Sequence, residues 1–339
     1  MAGQSTAEIK LTREQLRKLQ LVELDILMEL DRICRKHKIR YFLCGGTLLG
    51  AVRHGGFIPW DDDVDVGFFR EDYERFCEMF QQEADRSNYF LQTWKTDPHY
   101  RWNYGKIRRL GTEHIRTGQE HMKYRTGISI DIFPYDYLPI DKGLHEKIVA
   151  ALEKRQVGTF RVVYELPRAF LRLKEMRRLC TQARYCAVLR KVAYSVVGKR
   201  QAPNWYLRFG YFLLSLIPGR WAAALLEKKA RRYNDKDRYG GRTLRQFGYA
   251  SDWIQPNLGW RADKLAEQKE ILFEGFPVFT VKDTHWYLSG CFGEHYMELP
   301  PKEMRHGVAP ASRIDFGTVF SQMEWCTEEY LSTEEGQNG

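Results

Sequence analysis

Apolar residues recur at Leu16, Leu19, Ile26, Leu30 and Ile33, close to the helical period. They follow Thr12-Arg-Glu-Gln15, which has the spacing of a capping box, so the pattern predicts a first helix running to about Lys38. Tyr41-Phe-Leu-Cys44 is a short apolar run closed by Gly45-Gly46 and reads as a strand entering a tight turn. Thr47 to Val52 reads as a short helix, and Gly55-Gly56 and Pro59 break the chain again. Val64 to Phe69 reads as a strand. Arg70 to Ala84 reads as a helix with Tyr73, Phe76, Cys77 and Phe80 on one face. Further strands are predicted over 89–93, 104–109 and 128–133. The middle of the chain is patterned mostly as helix. The last third alternates short helical pieces with loops, and no internal repeat is visible.

The 339 residues are 43% hydrophobic and 29% charged, which excludes disordered and low-complexity classes. Charge divides the chain. Between 151 and 245 there are 23 Lys/Arg and 6 Asp/Glu, a net of +17. The remainder carries 30 against 38, a net of −8. Three parts follow: 1–150 as a core, 151–245 as a basic helical insert, and 246–339 as a C-terminal segment completing the core. Such an insert suits an anionic membrane surface, nucleic acid or plain solvent. No zinc-finger or RNP-type motif accompanies it, so no nucleic-acid partner is expected. The seven cysteines are scattered without a CxxC pair, which fits a reducing compartment. The first residues, MAGQSTAEIKLTREQ, lack the apolar core of a secretory signal. The apolar run Tyr211–Ile217 is too short to span a bilayer. The expected location is cytoplasmic, peripheral on the inner membrane face if the insert binds lipid.

The most informative stretch is GGTLLGAVRHGGFIPWDDDVDVG, residues 45–67. Strand alternation puts Asp63 and Asp65 on one face and Val64 and Val66 on the other. Two adjacent carboxylates repel unless a cation lies between them, and Mg²⁺ favours carboxylate oxygen. Gly45 and Gly46 let the backbone approach a ligand, and amides at the following helix start, including Thr47, suit a phosphate. In Gly127-Ile-Ser-Ile-Asp131-Ile-Phe-Pro134 an acid is embedded in a β-branched run, where an unpaired carboxylate is costly. Asp131 therefore reads as a third metal-site acid or as a carboxylate salt-bridged to Lys106 or Arg108. Three carboxylates suit two Mg²⁺ ions about 4 Å apart, an arrangement used for displacement at phosphorus.

This acidic stretch, the helix opening REDYERF and the segment ISIDIFPYD together resemble the LicD family of phosphotransferases. The resemblance covers about residues 10–140 and returns at the Pro300-Pro301 segment. It implies an α/β (α+β) fold with a nucleotidyltransferase-like mixed-sheet core, flanking helices and, in this chain, the basic insert. It also implies transfer of a phospho-substituent, typically phosphocholine, from a CDP-linked donor to a hydroxyl of a cell-surface glycan such as lipopolysaccharide, teichoic acid or capsule. The acceptor could be lipid-linked, and CMP would leave. On this reading Asp63, Asp65 and Asp131 hold Mg²⁺ (or Mn²⁺) and carry catalysis, and Asp131 also orients or deprotonates the acceptor. A nucleotidylyltransferase that releases pyrophosphate, or a non-catalytic glycan- or membrane-binding protein, are the alternatives.

The candidate donor contacts are Gly45, Gly46, Thr47, Arg53, His54, Lys106 and Arg108. Lys106 and Arg108 share a strand face and could neutralise a diphosphate. Arg305 and His306 follow a stiff Pro-Pro segment that could fix a loop over the site. Trp60, Trp94, Tyr100, Trp102 and Tyr104 are candidate walls for a quaternary ammonium, which binds aromatic faces by cation–π attraction.

Overall fold

The computed structural model describes residues 10–141, 174–235, 242–246, 260–306 and 311–327, with isolated positions at 143, 146, 147, 150 and 330. A mixed sheet forms the centre. Its order is β1 (Phe42–Leu43), β2 (Asp65–Phe69), β6 (Ser129–Asp141), β4 (Gly105–Arg109) and β3 (Tyr89–Gln92). β7 (Arg242–Gln246) pairs along the C-terminal half of β6. β2 and β6 run parallel, and the other neighbours are antiparallel. Outside this sheet, β5 (Glu113–Arg116) pairs with β10 (Ala311–Asp315), and β8 (Gln268–Phe273) forms a hairpin with β9 (Phe276–Val281). The helices are α1 (Arg13–His37), α2 (Gly45–His54), α3 (Arg70–Glu83), α4 (Lys174–Gln201), α5 (Trp205–Ser215), α6 (Gly219–Ala230), α7 (Ala262–Ala266) and α8 (Thr284–Phe292).

Local chemistry accounts for much of this. The capping box forms: the Gln15 amide donates to the Thr12 hydroxyl at 3.1 Å, and the Gln15 side chain accepts from the Thr12 amide at 3.0 Å. One side of α1 then buries Leu24, Leu27 and Leu30 in the main core beside Val64, Val66 and Phe68. Helix α2 starts two residues earlier than the pattern predicts and takes in both glycines. Strand β6 runs on to Asp141, well past 133, because β7 gives its second half a partner. The last third is not only helical pieces and loops: it holds β8, β9 and β10. The hairpin is hard to read because its first strand exposes Leu272 and turns at Glu274-Gly275, both at positive φ, without an Asn-Gly or Asp-Gly signal. Glu274 at that turn accepts from the Phe57 amide at 2.9 Å and pairs with Arg17 at 2.7 Å, pinning the 55–57 turn to α1.

Two buried polar knots join the layers. Asp25 of α1 accepts from Arg109 of β4 (3.1 Å), Tyr89 of β3 (2.8 Å) and Trp325 near the C-terminus (3.1 Å). Arg70 at the start of α3 grips Asp136 of β6 with two nitrogens, at 2.9 and 2.5 Å. Asn234, beyond α6, donates to the same carboxylate at 2.6 Å and accepts from the Tyr137 amide at 2.9 Å. Asp136→Ala strands a buried guanidinium and should lower unfolding free energy by about 3–5 kcal/mol. Asn234→Ala removes one hydrogen bond to that carboxylate and one from a backbone amide but leaves the ion pair, and should cost less, about 1–2 kcal/mol. Urea denaturation of both variants checks the order; equal losses would show that Arg70–Asp136 is not the dominant tie.

Candidate active site

The parallel pairing of β2 and β6 sets the register Asp65 opposite Asp131, and β4 adds Lys106 opposite Asp131 on its other side. Two acids and a cation thus stand in a row across three strands. Asp61, Asp62 and Asp63 lie in the turn just before β2. Backbone bonds fix this end: the Asp131 amide donates to Val64 O at 2.8 Å, and the Cys44 amide to Asp65 O at 3.1 Å. The Asp65 amide donates to the Thr47 hydroxyl at 2.8 Å, locking α2 to β2.

The glycines make room for carboxylates. Gly45 has φ +57°, and a Cβ there would sit 3.1 Å from Asp65 Oδ2. A Cβ on Gly46 would sit 2.8 Å from Asp61 Oδ2. Side chains larger than hydrogen would press on the acids the turn supports.

Crowding raises the acids' proton affinity. Burial and then Asp63 and Asp62 push Asp61 up to about 8. Burial and then Asp131 push Asp63 up to about 6. Asp65 is held well above the carboxylate range by burial, then by Asp63 and Asp131. Beneath them Glu23 of α1 is raised by burial and by the same acids.

Cations line the other side. Lys106 Nζ is ion-paired with Asp131, the contact that one of the two sequence readings expects of that carboxylate. Burial nevertheless pushes the Lys106 ammonium below its usual value. Arg116 of β5 is half-buried; burial works against its charge, but Asp131, Tyr104 and Asp63 hold it above the usual guanidinium range. It makes no side-chain hydrogen bond or ion pair with another described residue. His114, two residues back, is pushed down to about 3 by burial and then by Arg116, Arg108 and Lys106, so it stays neutral. Arg116, His114 and Glu23 escaped the sequence reading. A buried Glu inside the apolar run of α1 was the one visible signal for Glu23. For the pair on β5 there was none, because a neighbouring strand brings them in.

The other expected contacts are distributed differently. Arg108 donates to Gln92 at 2.6 Å and to Gly127 O at 2.5 Å, deep beside the site. Arg53 and His54 sit at the far end of α2, about 12 Å along the axis from Gly45 at 1.5 Å per residue. Arg53 donates to Tyr296 O and Glu298 O, His54 meets the Trp60 ring edge-on, and Arg305 lies over the same indole, 5.5 Å from its centroid. These residues fasten the Pro300-Pro301 segment to α2. Among the aromatics, Tyr100 and Tyr104 are buried; Trp102 packs on Tyr100, Tyr124 and Tyr194, forming a wall beside Asp131. Trp94 instead donates to Glu227 of α6 at 2.8 Å.

The donor chemistry suits a hard divalent cation. Among the described residues no three His, Cys, Asp or Glu side chains form a ready metal cage. Mg²⁺ needs none, since one or two carboxylates with waters and substrate phosphates hold it. Among the described residues Asp63 and Asp65 form no ion pair, whereas Asp131 is taken by Lys106.

Residues 38–170, the stretch that holds this cluster, match the family described as LicD/FKTN/FKRP, nucleotidyltransferase domain. The chain carries a LicD-family nucleotidyltransferase domain. It is 28% identical over 297 residues to lipopolysaccharide cholinephosphotransferase LicD of Haemophilus influenzae, covering 85% of this chain and 93% of that protein. It is 65% identical over 43 residues to human ribitol 5-phosphate transferase FKRP, but this is 13% of this chain and 8% of that protein. An uncharacterised Rickettsia typhi protein, RT0683, is 40% identical over 79 residues, 23% of this chain and 25% of its own length. The nucleotidyltransferase core expected of a LicD-family chain agrees with the mixed sheet.

The raised carboxyls set a pH dependence. The folded chain holds these protons to higher pH than the unfolded chain does, so stability falls as pH rises from about 4 to about 8. In EDTA, stability at pH 8 should be about 2 kcal/mol or more below that at pH 5, and Asp63→Asn should flatten the slope. Chemical denaturation across that range tests it; a rising profile would mean the acids are not mutually crowded.

Proposed function

We propose that this LicD-family phosphotransferase moves a phospho-alcohol group, with phosphocholine the leading candidate, from a CDP-linked donor to a glycan hydroxyl. The observation that carries this reading is the row Asp65–Asp131–Lys106 across three strands, flanked by Asp63 and Arg116. One side of the site is anionic and the other cationic, as a phosphoryl group held between a metal and an arginine requires.

Asp63 and Asp65 hold Mg²⁺ or Mn²⁺. When bound, the cation supplies charge neutralisation at the donor phosphates. Arg116 contacts a phosphate oxygen through its planar guanidinium. Lys106 positions Asp131, and Asp131 accepts the proton of the acceptor hydroxyl. The acceptor oxygen forms the new bond to phosphorus as the bond to the CMP oxygen breaks. The Trp102–Tyr194 wall offers π faces to a quaternary ammonium. The H. influenzae relative's choline transfer supports this choice, and FKRP's ribitol phosphate keeps a phospho-alditol as the second reading.

Incubation with CDP-choline, CDP-ribitol and related donors plus Mg²⁺, scoring CMP, tests the proposal. CMP released in proportion to acceptor supports it; pyrophosphate as product would move the chain to nucleotidyl transfer, and neither product would leave a binding protein. Asp63→Asn and Asp65→Asn should each lower kcat at least about 1,000-fold, roughly 4 kcal/mol in barrier. Arg116→Gln should raise the donor KM about tenfold or more while His114→Gln changes it little. An unchanged KM in Arg116→Gln would remove that residue from donor binding.

A further inference from the structure

Helix α5 buries none of its side chains. Trp205, Phe209, Phe212, Leu213 and Leu216 fall on one face at helical spacing and are 79, 56, 47, 49 and 65% exposed. Trp221 at the start of α6 continues the patch at 69%. These rings are not on a loose arm. Gly198 of α4 lets the opposite side of α5 pack closely, since a Cβ there would sit 2.9 Å from the Tyr211 ring. Helix α6 is held from within: Ala222, Ala223 and Leu226 are buried, and Asn103 donates to Ala223 O at 3.1 Å.

Charge surrounds the patch with one sign. Arg200, Arg208, Arg220 and Lys228 are exposed. The single acid of the two helices, Glu227, is turned inward to Trp94 and Lys95.

We propose that α5 and the start of α6 form a docking surface for an anionic lipid bilayer, with α5 lying in the interface plane. Apolar rings entering the acyl boundary with cations at headgroup level is the arrangement such helices adopt. No single described helix is long and apolar enough to cross. Eleven residues of helix span about 16 Å, against a hydrocarbon core of about 30 Å. The pair is bent by 80°, and α6 is fastened to the body through Asn103, which suits lying along the interface. Two copies meeting through this face would bring their cationic rims together, whereas anionic headgroups complement them. The surface stands independently of the transferase reading. Tyr194, on the helix that supports α5, touches Trp102 at the active-site wall, so docking would hold the site close to the bilayer.

Flotation of the full chain with phosphatidylcholine vesicles, with or without about 30% phosphatidylglycerol, is the test. At low salt, binding should be about tenfold or more tighter on the anionic vesicles and fall steeply towards about 0.5 M salt. Acyl chains carrying bromine should quench tryptophan fluorescence, and Trp205→Phe/Trp221→Phe should remove most of that quenching. Phe209→Glu/Phe212→Glu should lose binding about tenfold or more with an unchanged melting curve. The quenching result on the unaltered chain decides the matter if that variant misfolds. Equal binding to both vesicle types, or none, overturns the proposal. So does a dimer in sedimentation that Phe209→Glu/Phe212→Glu splits while vesicles stay unbound, because a second copy would then cover the face.

Discussion

Carboxylates packed at the end of one parallel strand pair are the constraint around which the rest of this protein is arranged. β2 and β6 are the sheet's parallel neighbours, and their register stands Asp65 beside Asp131. Asp61 and Asp63 follow from the turn into β2, and burial holds their protons up to about 8 and 6. Such crowding is unfavourable in a protein alone, and it is tolerated here because opposing features sit against it. Lys106 pairs with Asp131, Arg116 keeps its charge beside the same acids, and α2 points its amino end at them. On the function proposed above, a cation and a phosphorylated donor would complete the neutralisation.

The scaffold keeps that strain local. Asp25 with Arg109, and Asp136 with Arg70, are buried pairs with full hydrogen bonding in the surrounding layers. They tie α1, α3 and the C-terminal residues to the sheet, so the acid end is held by elements that do not share its charge. The helical group joins the same body through Trp94, Asn103 and Asn234. Its outward face is apolar and basic, and its inward face supplies Tyr194 to the aromatic wall. Surface and site are therefore two sides of one packed unit.

Much was legible in the sequence because local rules dictate it. The capping box, the first helix, the acidic strand and α3 follow from side-chain period and from short-range hydrogen bonding. That Asp131 needs a partner was legible too, since an ionisable group inside an apolar strand demands one wherever it ends up. The same local rules were silent on the β8–β9 hairpin, whose turn and exposed positions carry no strong signal.

What the sequence determined by itself was which groups are on hand: a run of carboxylates, glycines just ahead of it, and a basic stretch in the middle of the chain. Which carboxylates meet, and which cations face them, was decided by tertiary structure. Register across β2, β6 and β4 made Lys106 the partner of Asp131, and the pairing of β5 with β10 accompanies the arrival of Arg116. The glycines lie against Asp65 and Asp61 because the chain folds back over them. The exposure of α5 depends on what does not pack against it. Strand pairing and burial join residues far apart in the chain, and a one-dimensional pattern holds no record of those distances.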